Sequence, residues 1–194
     1  MRYDPPTEDY RFLFNELLNA YETIGDLGHT QCDKETIDLM LDGFGNLARD
    51  VWFPTNIDGD LIGAIFEGGN VLLPDSMRAA WKETVEGGWL AIPCLEEHGG
   101  GGFPLFLRIA CDEMAISGNM ALATCGALGL GVYDLISNHA DESLVEKFAP
   151  NVASGHWGST MCLTEAHAGT DLGIIKTKAI EQEDGSYLVS GQKI

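Results

Sequence analysis

Apolar side chains in the first half of the chain recur at the spacing of amphipathic helices. Leu13, Leu17, Tyr21 and Ile24 follow a Pro-Pro-Thr start and predict one helix from residue 7 to about 24. Asp33 is placed to cap a second helix with the face Ile37, Met40, Leu41, Phe44, Leu47, Ala48 and Val51, which Pro54 stops. Residues 55–73, rich in Asn, Asp and Gly, read as a long connection with room for one short hairpin. Pro74 and Asp75 open a third helix carrying Met77, Trp81 and Val85, closed by Gly87-Gly88. An irregular stretch over 89–104 follows. Two helices predicted at 105–117 and 119–138 are poor in charge and rich in Ala and Gly, so burial on most sides is expected. Gly126, Gly129 and Gly131 then serve close packing. Asp141 caps a last helix ending near Pro150.

After Gly155 the pattern changes. Residues 156–163, 173–180 and 187–190 predict strands, with Asp184-Gly185 as the hairpin turn between the last two. The fold class is therefore mainly α: a helical domain over 1–155, followed by the first strands of a β domain over 156–194. Three strands with a bare edge are marginal alone, so the β domain is expected to be incomplete.

Eleven Lys and Arg against thirty Asp and Glu give a net charge of −19, which repels polyanions and argues against nucleic acid or an anionic membrane as partner. A small anion held by local amides remains possible, because such contacts act within about a Debye length, roughly 8 Å. The five cysteines form no C-x-x-C pair. Their odd number, the absence of a basic-then-apolar leader, and no evident apolar run near 20 residues predict a cytoplasmic protein.

The five histidines lack H-x-x-x-H or H-E-x-x-H spacing, which predicts no metal site. Glu96-Glu97 and Asp112-Glu113 are adjacent pairs whose side chains diverge on a helix, so solvated or ion-paired roles are expected. Gly99 to Gly102 could be a plain loop or a ligand-facing one, since no strand precedes it and no G-K follows.

The segment Met161-Cys162-Leu163-Thr164-Glu165-Ala166-His167-Ala168-Gly169-Thr170-Asp171 carries more. A strand end meets a hydroxyl residue, a tight turn of small residues and a second hydroxyl. Such a segment can offer amides at 161–164 to the edge of a polar planar ring, and those of Gly169 and Thr170 to a pyrophosphate. On the residues alone a turn without a ligand is the favoured reading.

This segment resembles the T-E-P-x-A-G-[ST]-D loop of the acyl-CoA dehydrogenase family. Gly87-Gly88-Trp89, Glu97-His98-Gly99-Gly100 with Gly102, and the run from Asp184-Gly185-Ser186-Tyr187 to Gly191-Gln192-Lys193-Ile194 resemble further family motifs. The opening Asp9 to Glu16 and the wording Met161 to Glu165 look most like the branch that includes 3-methylmercaptopropionyl-CoA dehydrogenase.

The resemblance implies an FAD enzyme that removes an α proton and a β hydride from an acyl-CoA thioester. It implies that Met161, Leu163 and Thr164 contact the flavin, and that Gly169 and Thr170 lie along the pyrophosphate and toward the CoA. It also implies electron-transfer flavoprotein as electron acceptor and a homo-oligomer, with Glu165 structural and no catalytic base in this chain. Ala166 departs from the usual proline. The sequence is read as an amino-terminal fragment. A complete, non-catalytic helical interaction module is the alternative, and a monooxygenating or nitroalkane-oxidising relative is a third reading.

Overall fold

The computed structural model describes residues 2–29 and 32–194. It comprises two compact units that divide between Ser159 and Thr160. The sequence puts the change at Gly155, where the last helix closes.

The first unit is helical. Helix α1 (Thr7–Phe12) runs into a wider π-helical turn (Leu13–Leu17), and α2 (Ala20–Asp26) begins only after Asn19 adopts φ 46°. The single helix expected over 7–24 is thus interrupted. The π turn rotates the apolar face, so Tyr10, Phe14 and Ile24 are buried while Leu13 and Leu17 are exposed.

Helix α3 (Lys34–Asn46) starts as expected, with Thr36 N–H donating to the Asp33 carboxylate at 2.8 Å. Its buried residues Ile37, Leu41 and Phe44 continue into Leu47, Ala48 and Trp52 of a second π-helical stretch (Leu47–Trp52). The 55–73 connection contains the expected hairpin, β1 (Ile65–Glu67) paired antiparallel with β2 (Asn70–Leu72), Ile65 opposite Leu72. It also contains an unforeseen helix, α4 (Thr55–Leu61), too short and too Gly- and Asp-rich for its period to register. Helix α5 (Asp75–Glu86) buries Met77, Ala80 and Thr84, and Gly88 at φ 71° follows it.

The longest element, α6 (Leu105–His139), is two helical segments joined at Asn119, whose φ −154° and ψ 98° are not helical. Asn119 is buried: its amide nitrogen donates to Thr55 Oγ1 at 2.7 Å, and its carbonyl oxygen accepts Leu122 N–H at 3.0 Å, capping the second segment. In the first segment Leu107, Ala110, Cys111, Met114 and Ala115 pack against α3 and the 47–52 turn, forming the main core.

Burial on most sides fails for the second segment. A side chain at Gly126 would meet Trp81, but one at Gly129 or Gly131 would meet nothing within 4 Å. The expectation about apolar runs is also corrected: residues 114–133 carry no charge, and α6 is long and apolar enough to cross a membrane by length and composition.

Helix α7 (Glu142–Ser154) runs through Pro150 to Gly155 at φ 78° rather than ending at the proline. A second, smaller core of Tyr133, Ala149, Val152 and Ala153 packs it on α6.

The second unit contains β3 (Lys178–Glu181) paired antiparallel with β4 (Tyr187–Ser190) around Gly185 at φ 79°. The expected strand at 156–163 is absent, and 173–180 is a strand only from Lys178. Within this unit, Leu172–Ile174 forms a 3₁₀ turn instead, with Gly173 N–H donating to the Asp171 carboxylate at 2.9 Å. β propensity without a partner strand does not make a ladder.

Candidate functional site

The segment singled out by the sequence lies in the second unit and is organised by one carboxylate. Glu165 N–H and C=O pair with Ala168 C=O and N–H, each at 3.0 Å, closing a turn through Ala166 and His167. The Glu165 side chain, 4% exposed, then gathers donors from two distant stretches. Thr177 Oγ1 donates at 2.6 Å, Thr177 N–H and Lys176 N–H each at 2.9 Å, and Lys193 Nζ at 3.0 Å. His167 Nε2 lies 3.4 Å from Glu165 Oε2 and donates to the Ile174 carbonyl at 3.1 Å. The Thr177 hydroxyl, then the Lys176 and Thr177 amides and Lys193, hold this carboxyl far below its ordinary 4.5.

Carbonyls on the strand side are also tethered. Lys193 Nζ donates to Leu163 C=O at 2.9 Å, and Ile194 N–H donates to Thr164 C=O at 2.9 Å. The donors remain free: among the described residues, no hydrogen bond is made by the N–H groups of Met161, Leu163, Thr164, Gly169 or Thr170, nor by either threonine hydroxyl. All five residues are exposed, Met161 61% and Leu163 37%. Thr164 and Gly169 flank the paired Glu165 and Ala168, so the turn brings its two ends together. A side chain at Gly169 would meet nothing within 4 Å, so this glycine lines open space. A depression of about 230 Å³ lies beside the turn, lined by Glu165, His167, Lys176, Thr177 and Gln192 among others.

The sequence reading of Glu165 named neither Thr177 nor Lys193 as its partners. The signal present was a single acid in a turn of small residues with lysines in both neighbouring segments.

The glycine-rich stretch has the opposite character. Its amides are spent inward: Gly99 N–H on Glu96 C=O, Gly100 on Leu95, Gly101 on Ala91, Gly102 on Cys94 and Phe103 on Ile92, at 2.8 to 3.0 Å. A Cβ at Gly100 would collide with the Cys94 carbonyl, and one at Gly101 would lie 2.6 Å from the Phe103 ring. These glycines permit close backbone packing and offer no anion cradle. His29 Nδ1 donates to Gly102 C=O at 2.8 Å, and His98 Nδ1 lies 2.8 Å from the Tyr133 hydroxyl, which itself accepts Leu95 N–H. Both histidines are thus satisfied in the fold. Asp112 is ion-paired as expected, accepting from the buried Arg108 at 2.7 Å.

Residues 73–156 match the family described as acyl-CoA dehydrogenase, N-terminal domain. Over 194 residues the chain is 30% identical to 3-methylmercaptopropionyl-CoA dehydrogenase of Ruegeria pomeroyi, covering 100% of this chain and 33% of that protein. Among solved structures it resembles a chain from the electron transferring flavoprotein study of Acidaminococcus fermentans, with TM-score 0.69 and 22% identity, covering 83% of this chain and 40% of that one. It also resembles an acyl-CoA dehydrogenase of Bacillus anthracis complexed with FAD, with TM-score 0.67 and 20% identity, covering 84% of this chain and 27% of that one. The chain spans about a third of the length of the curated relatives it matches.

Residues 73–156 of the helical unit thereby match an acyl-CoA dehydrogenase amino-terminal domain. Over its whole length the chain is similar to the amino-terminal part of acyl-CoA dehydrogenases.

Proposed function

We propose that this chain is the amino-terminal part of an FAD-dependent enzyme that introduces an α,β double bond into an acyl-CoA thioester. The observation that carries this reading is the loop around Glu165, which leaves a row of exposed, unspent donors on Met161, Leu163, Thr164, Gly169 and Thr170. Such a donor set fits the flavin: the amides and hydroxyl at 161–164 suit the polar edge of its ring, and Gly169 and Thr170 suit the pyrophosphate. Bound FAD supplies the two-electron acceptor for the β hydride. The chain's part is to hold donors that need little reorganisation as negative charge develops on what they bind.

Glu165 is not the base in this reading. Its oxygens are committed to Lys176, Thr177 and Lys193, and its carboxyl is held too acidic to retain a proton. We therefore assign the α proton to a base outside this chain, in the remainder of a longer native polypeptide. A homo-oligomer and an electron-transfer flavoprotein acceptor complete the proposal by family resemblance. All five cysteines are free thiols, in keeping with the cytoplasm.

The test is to purify the native polypeptide carrying this sequence, record its flavin content, and follow flavin absorbance on adding saturated acyl-CoA thioesters under anaerobic conditions. Bleaching of the bound flavin with formation of the enoyl-CoA is expected. A native polypeptide that takes up no FAD would overturn the proposal.

A further inference from the structure

We infer that Glu165 and Lys193 together are positioning residues for the flavin-facing donors, an inference that rests on the FAD reading above. Lys193 Nζ sits between Leu163 C=O at 2.9 Å and Glu165 Oε1 at 3.0 Å, and the neighbouring Ile194 N–H takes Thr164 C=O at 2.9 Å. Carbonyls of the 163–164 stretch are thus turned toward the carboxy-terminal segment, and its N–H groups are left available. On the other flank, the Glu165 pairing with Ala168 fixes where Gly169 and Thr170 begin.

Charge supports the same role. A bare carboxylate four and five residues from the groups that take a pyrophosphate would repel it. Here the carboxylate is 4% exposed and is answered by one ammonium and three neutral donors, so the ligand meets a compensated pair. Lysine alone would leave its ammonium without the carboxylate, and glutamate alone would leave a buried charge without its counter-ion.

The test uses the native polypeptide and the variants Glu165→Ala, Lys193→Met and Lys193→Arg. FAD dissociation constants, the absorbance spectrum of the bound flavin, and hydrogen exchange of the Lys176 and Thr177 amides without flavin are measured on each. Glu165→Ala and Lys193→Met are expected to weaken FAD binding by about tenfold or more, the size of one lost charge-assisted hydrogen bond, and to shift the flavin spectrum. Lys193→Arg is expected to restore most of both. Faster exchange at Lys176 and Thr177 in Glu165→Ala reports the loosened hub independently of flavin.

If the parent binds FAD and folded Lys193→Met and Glu165→Ala match its affinity and spectrum, the positioning role is wrong while the flavin reading stands. If the parent binds no FAD, both fall together.

Discussion

Trp52 donates its indole N–H to the Thr84 hydroxyl at 2.8 Å across 32 positions of sequence, and Thr84 donates its own proton to the Ala80 carbonyl at 2.8 Å. Both residues are buried, so neither group has water to fall back on. Thr84→Val keeps the volume but strands the indole, and is expected to destabilise the helical unit by about 1–3 kcal/mol. In a Trp52→Phe background the same change should cost less, because no donor remains to be stranded. Denaturant unfolding of the four proteins of this cycle measures the coupling.

Two glycines should respond to alanine with opposite signs. At Gly100 the added carbon collides with the Cys94 carbonyl, and a loss of about 1–3 kcal/mol is expected from the forced backbone shift. At Gly129, inside α6, it meets nothing within 4 Å, and a gain of roughly 0.5–1 kcal/mol is expected from the reduced freedom of the unfolded chain. Melting temperatures of this chain with each substitution check both signs.

The hub at Glu165 should be insensitive to pH above about 5 and weaken progressively in more acid conditions. Its carboxyl titrates below the ordinary 4.5, so the linked stability is fully present above that value and is lost as pH falls through it toward the folded pKa. Protection of the Lys176 and Thr177 amides, read by exchange, should therefore hold from neutrality to about pH 5 and decline below. Loss of protection between pH 8 and 6 would contradict this.

Alkylation should sort the five thiols. Cys125 and Cys162 are exposed, whereas Cys32, Cys94 and Cys111 are buried. Burial pushes Cys94 up to about 11 and Cys111 up to about 12, leaving little thiolate at moderate pH. Brief treatment with iodoacetamide is expected to label the first two and spare the other three until denaturant is added, as peptide mass mapping would show.

The helices were legible where apolar spacing was regular and a cap was local: the Asp33 cap, the α3 face and the α5 start at Asp75 all stand. The first helix was misread because a π turn and a left-handed Asn19 leave no mark on hydrophobic spacing. Pro150 was read as a stop, yet α7 runs through it to Gly155. Strands at 156–163 and 173–177 were inferred from β-branched and apolar residues, but a strand is defined by its neighbour.

The site divides in the same way. The loop itself was readable from its threonines and glycine, and Glu165 from its motif. The partners that bury Glu165 come from residues 12 and 28 positions away, and no local pattern announces them.

The joint at Asn119 has a consequence for how α6 can vary. In a continuous helix each inserted residue turns everything beyond it by about 100°. Here the second segment takes its start from its own cap, the Asn119 side chain on Leu122 N–H, and its anchorage from Thr55. The register of the face carrying Leu122 and Tyr133 is therefore set separately from that of the face carrying Leu107 and Met114.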